Sequence, residues 1–266
     1  MNVERKTVAG DFRVKGLGLH SGIPVEVRVA PGDGGIAFWQ GGTRTPAIPA
    51  NVADTTRCTR LGPVSTIEHL MAAFAGLGVT DAEVELDAPE LPALDGAARV
   101  WVDEISAVGF TDLDPRELPS LYTRIYEKND PVTVAISHGT GDWKYIFDTG
   151  ERWPGRQTFE FHTDRDSFAD EVAPARTLVF EEEIEMARAA GLGQGLDETT
   201  VLALGNSGYI NEAKFPDEPA RHKLLDLMGD LYLAGVPLRF LNVVAERSGH
   251  TANVRAAAKL WEAVHG

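Results

Sequence analysis

The chain has 266 residues, 43% hydrophobic and 24% charged, proportions that fit a globular protein and exclude collagen-like, coiled-coil and disordered architectures. Forty acids against 25 bases leave a formal charge of −15, which repels phosphate backbones and anionic lipid, and no cluster of bases offsets it, so no nucleic-acid partner is expected. A single cysteine, Cys58, precludes an internal disulfide or a four-cysteine metal site, and no apolar run or leader-like start suggests a membrane span or secretion, so a cytoplasmic protein is expected.

Residues 25–29 (VEVRV) alternate apolar and charged side chains, as a half-buried strand does. Asp33-Gly34-Gly35 reads as a hairpin turn, with 36–39 as the returning strand. A helix is predicted from Ser65, because Ile67, Leu70, Met71, Phe74 and Leu77 share one face and Gly76 or Gly78 can end it. A strand over 82–86, a proline-bearing loop and a helix from about 97 to 108 follow. Residues 109–120, with two prolines and little alternation, read as a linker. Strands are predicted at 121–126, 131–137, 143–148 and 157–162, helical stretches at 164–171 and 180–190, and a strand at 200–204. The strongest helix covers about 218–234; a strand and a last helix after Ser248-Gly249-His250 complete the chain.

The two halves end alike, each with a helix near a histidine, a glycine, a strand, a loop and a closing helix. His69 and His222 are 153 positions apart, and so are Gly96 and Gly249. This equal spacing suggests an internal duplication. The fold class it predicts is α/β (α+β): two similar domains, 1–118 and 119–266, each a sheet with helices on one face, packed as a sandwich with the active site between them.

His222, Asp226 and Asp230 fall at i, i+4 and i+8, within about 80° of helical arc. Such a stripe is ordinarily a face turned to water, yet solvated stripes are usually Lys and Glu. A histidine and an aspartate one turn apart can also share a metal ion. Ser65-x-x-Glu68 fits a capping box, which would make Glu68 a structural cap. Glu68 also directly precedes His69, the arrangement that places a general base beside metal-bound water. His69, His222 and Asp226 would then be a catalytic ligand set with an open position. His250, at the start of the last helix, can serve as a general acid near neutral pH. His20 lies in a glycine-rich turn that lacks the lysine of a phosphate loop.

STIEHLMAAFAGLG, DAPELPALDG, the GLGLHSG turn, ARTLVF, RHKLLDLMGDLYLAG and SGH resemble, in this order, the UDP-3-O-acyl-N-acetylglucosamine deacetylases of lipid A biosynthesis, over nearly the whole chain. The resemblance implies a zinc amidohydrolase with two α/β domains and the metal between them. His69, His222 and Asp226 match the family's zinc ligands, Glu68 its general base, His250 its catalytic histidine and Asp230 the carboxylate paired with that histidine. Thr177 matches the threonine that helps bind the oxyanion, and Lys223 a catalytic-site lysine near the substrate's phosphate and the active site. His20, Phe180 and Lys223 are the implied substrate-binding residues. Cys58 matches a cysteine near the metal in some members but is not a ligand. Leu178 stands where the family commonly has an aromatic, and a βαβ insert forming the acyl passage would fall at about 191–212. The implied partner is UDP-linked, acylated N-acetylglucosamine, acted on by a monomer. Two other readings stand beside this one: an iron(II) enzyme, since two histidines and a carboxylate also make that triad, and a non-catalytic sugar-nucleotide binding protein.

Overall fold

The computed structural model describes residues 1–266. In the first half, β1 (Asn2–Val8), β2 (Phe12–Leu17), β3 (Pro24–Pro31), β4 (Ile36–Gln40), β5 (Thr43–Pro46), β6 (Val52–Asp54) and β7 (Arg60–Leu61) precede α1 (Glu68–Leu77), β8 (Ala82–Leu86), α2 (Arg99–Val108) and β9 (Phe110–Glu117). The second half runs β10 (Ile125–Asn129), β11 (Val132–His138), β12 (Asp142–Asp148), β13 (Arg156–His162), α3 (Phe168–Glu171), β14 (Leu178–Phe180), α4 (Ile184–Ala189), β15 (Leu202–Leu204), α5 (Glu218–Tyr232), β16 (Leu241–Glu246) and α6 (His250–His265).

Each half contains one five-stranded sheet, ordered β2-β3-β8-β4-β5 and β10-β11-β16-β12-β13. The pairing senses correspond strand for strand: only β4 with β8, and β12 with β16, run parallel. The matched spacing in the sequence thus reflects a repeated topology, with two similar α+β layers. Helix α2 packs against β2, α5 against β12 and β13, and α6 against β10 and β11, while α1 meets α5 where the layers face each other. One continuous apolar core joins both layers.

Strand β8 explains how this arrangement arises. Ala82, Val84 and Leu86 are buried, whereas Glu83 and Glu85 pair outward with Arg44 and Arg28. This alternation makes β8 a half-buried strand, and it inserts between β3 and β4. The hairpin expected across Asp33-Gly34-Gly35 therefore does not form: the turn reverses the chain without making its flanking strands neighbours. The supposed linker at 109–120 is largely β9, antiparallel to β1. The insert expected at 191–212 begins earlier, with α4 crossing between the parallel strands β14 and β15.

Helices α1 and α5 come into backbone contact at Gly229. A Cβ there would stand 2.0 Å from the Glu68 carbonyl oxygen, so only glycine permits the crossing as it is. Helix α1 ends at Gly78, whose φ of 69° supplies the left-handed C-cap.

Candidate active site

The close crossing brings the start of α1 to the middle of α5. Helix α1 begins at Glu68, with Ile67 as N-cap and no side-chain capping bond, so the capping box is absent. Instead Glu68 Oε2 accepts the Thr59 amide at 3.0 Å. Burial raises the Glu68 pKa, an effect that His250 and His69 only partly oppose.

On α5, His222, Asp226 and Asp230 are all buried, so their stripe faces the other layer and not water. His222 Nδ1–H donates to the Ala175 carbonyl at 3.1 Å, leaving Nε2 with its lone pair facing the site. Burial lowers its pKa to about 4 despite the Asp226 charge, so the ring is neutral. His69 Nε2 and His222 Nε2 each lie 3.5 Å from Asp226 Oδ1, an oxygen that accepts no hydrogen bond. Its partner oxygen accepts the Lys223 ammonium at 2.9 Å. Against the cost of burial, the charges around it, that of Lys223 among them, hold the Asp226 carboxyl well below the usual range. Ligands about 2.0–2.1 Å from a tetrahedral ion sit roughly 3.4 Å from one another. The observed separations and the unpartnered Asp226 oxygen fit that requirement, and these three residues form the group that could hold a metal ion.

Opposite this group stands His250, the first residue of α6, with Nε2 3.9 Å from Glu68 Oε1. Its Nδ1 is 3.0 Å from Asp230 Oδ2. Asp230 is itself held by the Thr59 hydroxyl at 2.5 Å and the Asn253 amide at 3.0 Å. Burial alone would lower the His250 pKa; Asp230 and Glu68 outweigh it and raise the value to about 9. A carboxylate and an imidazolium therefore flank one space, as proton exchange at a reacting group requires.

The site opens into a cavity of about 580 Å³ lined by Thr177, Lys223 and His20 as well as Glu68 and His250. Burial and the Arg57 charge lower the His20 pKa against the pull of Glu90. Phe180 does not line this cavity; its ring lies beneath the Arg152 guanidinium, 3.1 Å from the ring centroid. Cys58 is buried, which pushes its thiol pKa up to about 12, and it belongs to no metal-binding group.

Several supporting residues were not anticipated from sequence. Glu90 accepts the backbone amides of His20 and Ser21 at 2.8 and 2.9 Å, fixing the glycine-rich turn. Arg176 and Glu218 form a buried ion pair, Nε to Oε1 at 2.9 Å, that ties the Ala175–Thr177 segment to the start of α5. The only signal for that pair was a glutamate opening a helix and an arginine beside Thr177. Thr59 and Asn253 gave none.

Two repeated α/β layers, an imidazole–imidazole–carboxylate group between them that could hold a metal ion, a buried glutamate beside it and an imidazole opposite are the parts that a metal-assisted hydrolase uses. Comparison with known proteins narrows the class. Residues 5–262 match the family model described as LpxC, UDP-3-O-acyl N-acetylglycosamine deacetylase, and the chain belongs to this family. It is 35% identical over 279 residues to the UDP-3-O-acyl-N-acetylglucosamine deacetylase of Nostoc sp. strain PCC 7120, covering 97% of this chain and 98% of the relative. The similarly named protein of Cellvibrio japonicus strain Ueda107 is 35% identical over 98% of this chain and 91% of its own length. That of Brucella melitensis biotype 1 is 33% identical, over 98% and 96%.

Proposed function

We propose that this protein hydrolyses the N-acetyl amide of UDP-linked, 3-O-acylated N-acetylglucosamine, releasing acetate, as a step of lipid A biosynthesis. The observation that carries this reading is the convergence, from both halves of the chain, of Glu68, His69, His222, Asp226 and His250 on one space. His69, His222 and Asp226 would hold zinc, which when bound polarises the acetyl carbonyl and lowers the pKa of water. Glu68, with its raised pKa, takes the proton of the attacking water. The Thr177 hydroxyl donates to the developing oxyanion, and His250, held by Asp230, protonates the departing amine. Lys223 stays charged beside Asp226 and faces the substrate's phosphate end, with His20.

The cavity's other wall is apolar, built by Val179, Ile184, Leu192, Leu196, Val201 and Ile210, and suits the 3-O-acyl chain. In this reading residues 1–118 supply Glu68 and His69, and residues 119–266 supply the other ligands and His250. The protein is read as a cytoplasmic monomer; separately, no helix is long and apolar enough to cross a membrane. The test is acetate release from UDP-3-O-acyl-N-acetylglucosamine by zinc-loaded protein. Turnover of that substrate supports the reading, and an inactive, fully zinc-loaded, folded protein overturns it.

A further inference from the structure

In a chain of net charge −15, the cations around an anion-binding cavity have to act locally. Three arginine or lysine side chains line it: Arg57, Arg188 and Lys223. The Lys223 ammonium is 2.9 Å from Asp226, and the Arg188 guanidinium is 3.6 Å from Glu185. No carboxylate lies within 4.0 Å of Arg57, so its charge is the one left uncommitted.

The backbone at Arg57 is also unusual. Its φ is +73°, a left-handed conformation that disfavours a side chain with a Cβ. The segment is pinned on both sides. Asp54 Oδ1 accepts the Thr55 and Thr56 amides, at 2.9 and 3.1 Å. The Thr55 hydroxyl is 2.8 Å from that of Thr251, next to His250, and the Thr59 amide is held by Glu68. Disfavoured conformations that the surroundings over-determine cluster at functional sites. A glycine would satisfy this backbone better; the arginine contributes an uncommitted guanidinium at the cavity wall.

We propose that Arg57 is an anion-binding residue of this cavity, engaging the diphosphate of the nucleotide-linked substrate. The inference rests on the functional reading above and adds a ligand contact to it. A guanidinium can donate two parallel hydrogen bonds to phosphate oxygens, which suits it to this task better than an ammonium already paired with Asp226.

The experiment is calorimetric titration of the zinc-loaded protein with UDP and, separately, with uridine, for the wild type, Arg57→Gly and Arg57→Lys, alongside melting temperatures and steady-state kinetics. The expected result for Arg57→Gly is UDP affinity about tenfold or more weaker, uridine affinity unchanged, KM raised with kcat little altered, and a melting temperature not lowered. Arg57→Lys should keep part of the UDP affinity because it keeps the charge. Wild-type UDP affinity in Arg57→Gly overturns the proposal. So does a lowered melting temperature with equal loss of UDP and uridine binding, since Arg57 would then be structural. A wild-type protein that binds no UDP overturns the nucleotide reading beneath it, a different outcome from either.

Discussion

The Glu68 carboxylate is buried and bonded to the Thr59 amide, and it caps nothing through its side chain. Glu68→Gln keeps its volume and one acceptor while removing the base. Acetate release should fall about 100-fold or more, with metal content and circular dichroism unchanged; a Gln variant with near-normal turnover would remove Glu68 from the chemistry. His250 gives a pH signature. Its working form is the imidazolium, favoured by Asp230 and Glu68 up to a pKa of about 9. The basic limb of kcat/KM marks loss of that proton as pH rises. A divalent cation nearby repels the imidazolium, so the limb of the loaded enzyme should lie below that value. Asp230→Asn removes the main stabilising charge and should move the limb further toward lower pH, with a milder loss of rate than His250→Ala. An unmoved limb in Asp230→Asn would show that another group sets it. At this scale much of the site was legible: the 222–226–230 spacing placed three polar groups on one helical face. What covers that face was not, because periodicity says nothing about the neighbouring layer. The partners of Asp230, Thr59 and Asn253, come from segments with no local pattern to reveal them.

Gly229 governs how closely α1 and α5 approach, and through them the distance from Glu68 and His69 to Asp226 and His222. Gly229→Ala should destabilise the protein by about 1–3 kcal/mol and weaken metal binding, measured by denaturant unfolding and by competition with a chelator. Gly208, where an added Cβ meets nothing within 4 Å, is the control, and Gly208→Ala should change neither. If Gly229→Ala bound metal normally, the crossing would not set the ligand spacing. The Arg176–Glu218 pair makes a second test of element placement. Glu218→Ala strands a buried guanidinium and should cost about 3–5 kcal/mol by the same unfolding measurement. Elements were more legible than their neighbours. Strand β3 announced itself by alternation and β8 and β11 were predicted as strands, but β8 inserting between β3 and β4 depends on pairing across some fifty residues of chain. Strand β9 was masked by Pro115 within it and by a largely exposed surface, since a strand with little to bury shows little alternation.

Across the whole molecule, the candidate ligands are divided: His69 comes from one layer, His222 and Asp226 from the other. Chelating the metal should therefore lower the melting temperature of the entire chain, because an ion that binds only the folded state at 1,000 times its Kd adds about 4 kcal/mol. His69→Ala and His222→Ala should each abolish that increment; full metal content after dialysis in both variants would show the group is not the metal site. The close helix crossing also limits how substrate can come and go. Two layers joined through backbone contact at Gly229 and one shared apolar core cannot part like a shell without unfolding α1 and α5. Passage is left to the rim that carries the βαβ unit, where no residue from Thr177 to Val201 is fully buried. Sparse burial means a low free energy of local opening. Amide protons of 181–199 should thus exchange with solvent quickly and slow down when an acylated ligand is held, while those of α1 and α5 exchange only as the whole chain unfolds. The enzyme's traffic would then run over one soft edge of a body whose centre stays shut.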